Sequence, residues 1–94
     1  MNEVFRALGD PTRRRILELL RRRDHTAGEI AERIPLAKST LSGHFNVLKH
    51  ARLVVSERRG TSIVYSLNLS VLEEVVAGVM ALLAHRRPRK EESR

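Results

Sequence analysis

Two stretches whose apolar residues recur at helical spacing are separated by only Pro35-Leu36-Ala37. Upstream, Thr26-Ala27-Gly28-Glu29 reads as a capping box, in which the threonine and glutamate side chains satisfy free amides at a helix start. Ile30, Ala31 and Ile34 give that helix its inner face. Proline lacks the N–H a helix interior needs, so Pro35 ends it. Downstream, Leu41, Phe45 and Leu48 form the inner face of a new periodic run. Two helices joined by so short a turn make a helix-turn-helix candidate.

The flanks complete a recognisable plan. Val4, Phe5 and Leu8 share one face of a short first helix, which Gly9 can end through the left-handed conformation that glycine tolerates. Asp10-Pro11 then caps and opens a second helix, with Ile16, Leu17 and Leu20 inside. Beyond Ala51 the runs 53–55 and 63–67 are rich in β-branched residues and flank Arg58-Arg59-Gly60-Thr61. Gly60 supplies the positive φ of a tight turn, so a two-stranded ribbon with arginines at its tip is expected. A second capping box, Ser70-Val71-Leu72-Glu73, starts the last helix. The expected class is α+β, mostly α: a winged helix-turn-helix with a two-stranded hairpin wing and a C-terminal dimerisation helix. Residues 1–85 make the domain, and the charged tail 86–94, with nothing to bury, is expected to be disordered.

With 94 residues the chain has one limited core, and without cysteine it cannot be stapled by disulfides, so oligomerisation is a reasonable added source of stability. Leu72, Val76, Val79 and Leu83 repeat at near-heptad spacing, and Val75 and Leu82 widen the stripe beyond what one small domain needs. Together with Val4, Phe5 and Leu8, these residues are the expected homodimer interface.

A net charge of +7 points to a polyanion, because Lys and Arg that meet phosphates release condensed counterions. Phe5, Phe45 and Tyr65 are the only aromatic residues, too few for stacking single-stranded bases, so duplex is favoured. The start MNEVFRALGD is acidic in part and has no long apolar run, so no signal peptide is expected. The uncharged run 75–84 is shorter than the roughly 20 residues of a membrane-spanning helix. The expectation is a cytoplasmic protein without membrane insertion.

With Leu41, Phe45 and Leu48 inward, Lys38, Ser39, Ser42, Gly43 and Asn46 point outward. Short hydroxyl and amide side chains reach base edges and phosphates without holding a helix off the groove. A polar helix face by itself is usually just solvated. Motif spacing, a basic hairpin tip and strong positive charge together point to DNA. Gly43 costs a helix about 1 kcal/mol relative to alanine, unless close backbone approach compensates.

The segments DPTRRRILELL, LAKSTLSGHFNVLKHARLV and RRGTSIVYSL resemble the ArsR/SmtB family of repressors, over residues 2–85. The short length and ending resemble the branch that includes the repressor of the sporulation-delaying-protein operon. The resemblance implies a winged helix-turn-helix dimer built through the first and last helices. It implies groove contacts at Lys38, Ser39, Thr40, Ser42 and Gly43, and wing contacts at Arg58, Arg59 and Thr61. Many members carry serine at the position of Ala37 and histidine at that of Gly43. The adjacent His44 is either a substitute base contact or a packing histidine.

Soft-metal members of that family use cysteines, which this chain lacks. The zinc-ligand positions correspond to Leu69, Val71, Leu82 and His85, of which only one can bind a metal. No metal site and no cofactor are expected. No activated nucleophile, carboxylate pair or phosphate-binding glycine loop suggests an enzyme. The expected function is a homodimeric repressor of an inverted-repeat, double-stranded operator, autoregulatory by family analogy. The alternatives are a non-specific architectural DNA binder, or an interaction module whose last helix docks a partner such as a membrane-bound protein antagonist.

Overall fold

The computed structural model describes residues 2–84. Helix α1 (Asn2–Leu8) leads into α2 (Pro11–Arg22), whose first turn is capped by the Asp10 carboxylate accepting the Arg13 amide at 3.1 Å. Gly9 does not take the left-handed conformation expected of it, because the only glycine with positive φ among the described residues is Gly60. The end of α1 is closed from outside instead. Arg13 donates to the Arg6 and Ala7 carbonyls and Arg14 to that of Leu8, which satisfies acceptors that a helix end leaves free. Inside α1, Val4 and Ala7 are buried while Phe5 is half exposed.

Strand β1 (His25–Thr26) precedes α3 (Ala27–Arg33), and the capping box is complete: Thr26 Oγ1 accepts the Glu29 amide at 3.0 Å and Glu29 Oε1 accepts the Thr26 amide at 2.9 Å. Only Ile30 and Ile34 of the expected inner face are buried; Ala31 is exposed. A helix of two turns needs no third inward residue.

Helix α4 (Lys38–His50) follows the 35–37 turn, with Leu41, Phe45 and Leu48 buried. It ends in a Schellman motif, in which the Arg52 amide donates to Lys49 and the Leu53 amide to Leu48. Leu48 and Leu53 are both fully buried, the apolar contact such an ending favours. Arg52 sits at φ 62°. A Cβ in the left-handed region costs about 1–2 kcal/mol, against the extra chain entropy of glycine of about 0.5–1 kcal/mol. Arg52→Gly is therefore expected to raise the chemical denaturation midpoint, by the equivalent of up to about 1 kcal/mol. A lowered midpoint would mean that the arginine side chain itself holds the corner.

Strands β2 (Val54–Arg59) and β3 (Ser62–Leu67) form the hairpin, in register from Val54 opposite Leu67 to Arg59 opposite Ser62. Gly60, at φ 62°, opens the two-residue turn, and Thr61 keeps negative φ, the pattern of a type II′ turn. The sheet has three strands rather than two, in the order β1-β3-β2, because His25 and Thr26 pair with Tyr65 and Val64. Val55, on the outer face of β2, is half exposed.

Helix α5 (Leu69–Ala84) begins at Leu69, so Ser70 lies inside it and cannot be its cap. Only Val75 of this helix is buried, and Val71 and Leu72 pack at the core's edge. The expectations for residues 86–94 and for His85 lie outside the described residues.

Candidate nucleic-acid interface

The outer face of α4 presents Lys38, Ser39, Thr40, Ser42, Gly43 and Asn46 to solvent. Ala37 precedes it without any side-chain hydrogen bond to the first turn, so these amides are not capped by a side chain. A Cβ at position 43 would meet nothing within 4 Å, so the protomer's packing does not require that glycine.

Enclosed by α3, through Ala27, Gly28 and Ala31, by α4 and by the hairpin lies a cleft of about 460 Å³ that brings Lys38, Ser42 and Thr61 together. Its floor includes Phe45 and Tyr65, whose rings stack with centroids 4.4 Å apart. Burial raises the Tyr65 hydroxyl above its ordinary pKa. The stack couples the inner face of α4 to β3 of the hairpin. Thr26 and Ser62 also line this cleft. Sequence reasoning assigned Thr26 only to a helix cap, and the pairing that brings β1 onto β3 had no pattern to reveal it. Asn46 opens instead onto a groove between α1 and α4, beside Glu3 and Arg6.

At the wing, strand alternation separates the two arginines. Arg58 pairs across from Ile63 and shares the face of Tyr65 and Val54, which are buried toward the helices. Arg59 lies on the opposite face, where its guanidinium meets Glu57 at 3.2 Å with both side chains mostly exposed. Such an exposed pair contributes little and is easily exchanged for another anion.

His44 points elsewhere. Its side chain is only 17% exposed and faces Arg13, Nδ1 to Nη1 at 3.2 Å, with Asp10 Oδ2 at 3.9 Å. The Asp10 carboxyl is held below the usual carboxylate range, chiefly by the Arg13 amide and also by the nearby charge of Arg13. The arginines opening α2 are likewise engaged with protein carbonyls: besides Arg13 and Arg14, Arg15 donates to the Arg33 carbonyl at 3.2 Å.

The expected interface residues divide. Val4 and Val75 are buried within the protomer, and Leu8 and Leu72 pack against its core. Phe5, Val76, Val79, Leu82 and Leu83 are exposed, as is Met80, which the sequence reading omitted. Among the described residues, no cluster of three or more His, Asp or Glu could hold a metal. No helix among them is long and apolar enough to cross a membrane.

Residues 8–57, spanning the two helices and their turn, match the family model described as a helix-turn-helix domain. The transcriptional repressor SdpR of Bacillus subtilis is 49% identical over 76 residues, covering 81% of this chain and 84% of that protein. The ArsR-like transcriptional regulator from Rhodococcus sp. RHA1 superposes with a TM-score of 0.83 at 32% identity, covering 88% of this chain and 76% of the other. The chain belongs to the ArsR/SmtB family of helix-turn-helix regulators. It is thus a DNA-binding transcriptional repressor of the ArsR type and not an enzyme. A second ArsR-family regulator structure, RHA00566, agrees with the fold at a TM-score of 0.74 and 26% identity, covering 92% of each chain.

Proposed function

We propose that this ArsR-type repressor acts in the cytoplasm as a homodimer on an inverted-repeat operator near its own promoter, blocking polymerase by occupancy. The observation that carries the reading is the shared cleft: Lys38 and Ser42 of α4 and Thr61 of the wing face one space. In it, α4 enters the major groove with Lys38, Ser39, Thr40, Ser42 and Asn46 toward bases and phosphates, Gly43 leaving room for close backbone approach. The wing meets the flanking backbone through Arg58, Arg59 and Thr61. His44 belongs to the support of this surface rather than to its outer face.

Two recognition helices read half-sites about 34–36 Å apart only when a dimer holds them at that spacing. The exposed apolar stripe of α5, with Phe5, supports that role. The chain has no cysteine thiolate to offer a soft ion.

Footprinting with a measurement of solution mass tests the reading. A protected palindrome and twice the chain mass are expected; uniform coverage of DNA would favour the architectural alternative, and a stable monomer a partner-docking one. Arg59→Ala is expected to weaken operator binding and to flatten the slope of log affinity against log salt by about one unit, the yield of one neutralised phosphate. Unchanged affinity and slope would remove the outer edge of the wing from the interface.

A further inference from the structure

The Asp10, Arg13 and His44 cluster lies behind the proposed DNA face, and the function described so far does not use it. Arg13 Nε and Nη2 grip the Ala7 and Arg6 carbonyls of α1 at 2.9 and 3.0 Å, while Nη1 reaches His44 Nδ1 on α4 at 3.2 Å. One rigid guanidinium, on a backbone fixed by the Asp10 cap, thereby joins the first helix to the recognition helix. From this geometry we infer that His44 and Arg13 are positioning residues for DNA reading, setting the placement of α4 relative to α1 without touching DNA.

The chemistry of the contact fixes a protonation state. A guanidinium carries donors only, so His44 Nδ1 must accept, and its proton resides on Nε2. Protonation at Nδ1 removes the acceptor and sets a cation against a cation. The facing groups are Arg13, whose Nη1 is then left without this partner, and Asp10, whose Oδ2 already accepts the Arg13 amide. Lysine at position 13 would keep the charge but could not span two carbonyls and an imidazole at once. This inference rests on the DNA-binding reading for its consequence, though not for its geometry.

The test uses the full chain and a duplex selected by the wild-type protein from a randomised pool, with affinity followed by anisotropy. His44→Leu and Arg13→Lys should each lose affinity on the order of tenfold, the yield of one charge-assisted hydrogen bond. His44→Asn places a carbonyl oxygen near the Nδ1 position, so it should stay within about threefold of wild type. Undiminished affinity in His44→Leu would overturn the proposal, as would a loss in His44→Asn as large as that in His44→Leu. Imidazole nitrogen NMR of the DNA-free protein gives an independent reading: the Nε2–H form supports the tie, and the Nδ1–H form refutes it even if no duplex is selected. Failure of the wild type to select any sequence would count against the operator reading alone.

Discussion

Val79→Asp is expected to split the dimer while leaving the protomer folded. Val79 is 41% exposed within the protomer, and Val76, Met80, Leu82 and Leu83 around it are exposed further. In the isolated protomer the new carboxylate stays in water and costs little. In the proposed dimer it is covered by apolar surface from the partner, and an uncompensated buried charge costs about 3–5 kcal/mol. That is a rise of roughly a hundred- to several-thousand-fold in the dimer dissociation constant. Sedimentation should find a monomer at micromolar concentration, with a circular dichroism spectrum close to that of wild type. Operator affinity should fall with it, since one recognition helix reads one half-site. A dimeric variant with full affinity would show that this stripe packs elsewhere.

The same helix shows where a sequence pattern stops informing. Periodicity identifies an apolar stripe but does not divide it between a protomer's own core and a second surface. Val75 is buried by its own chain whereas Val76 and Val79 are not, and that division depends on how α5 sits against the core. The helix-turn-helix was legible because its signals are local: a capping box at Thr26 and Glu29, a proline after Ile34, and a 3.6-residue repeat through Leu41, Phe45 and Leu48. The hairpin was legible for the same reason, since Gly60 must supply the positive φ of its turn. A two-residue strand carries no alternation to detect, so β1 emerged only once β3 offered a free edge to His25 and Thr26.

The arginines of α2 mark the other limit. In a chain of charge +7, the Arg13-Arg14-Arg15 run is three of its cations, and nothing in the sequence says what they meet. The fold gives these side chains a nearer set of acceptors, the carbonyls ending α1 and α3. Carbonyl stapling leaves no mark in sequence, because it depends on where another helix ends in space. The same holds for His44, whose partner Arg13 lies 31 positions away. The candidate interface was therefore readable as a list of outward residues, while what holds them in place was not.

Phe45→Ala should bring the largest loss of stability of any single change considered. Phe45 is 6% exposed, belongs to the core, and stacks on Tyr65 with an interplanar angle of 24°. Truncating a buried phenylalanine costs about 3–5 kcal/mol in transfer and cavity terms. A domain of this size has about 5–15 kcal/mol in total, so a large part of its stability would be removed. The melting temperature should drop by roughly 12 °C or more, at about 4–8 °C per kcal/mol. Phe45→Leu separates packing from the stack. It refills most of the volume but forfeits the ring pair, itself worth about 0.5–1.5 kcal/mol, and should melt only a few degrees below wild type. If the stack fixes the wing against α4, Phe45→Leu should still bind DNA less tightly, because the cleft holding Lys38, Ser42 and Thr61 has lost part of its floor. Native affinity in Phe45→Leu would mean that the backbone of β3, and not the ring pair, sets the spacing between wing and recognition helix. A Phe45→Ala protein that melts with wild type would show that neighbouring side chains collapse into the cavity, and that the core does not depend on this ring.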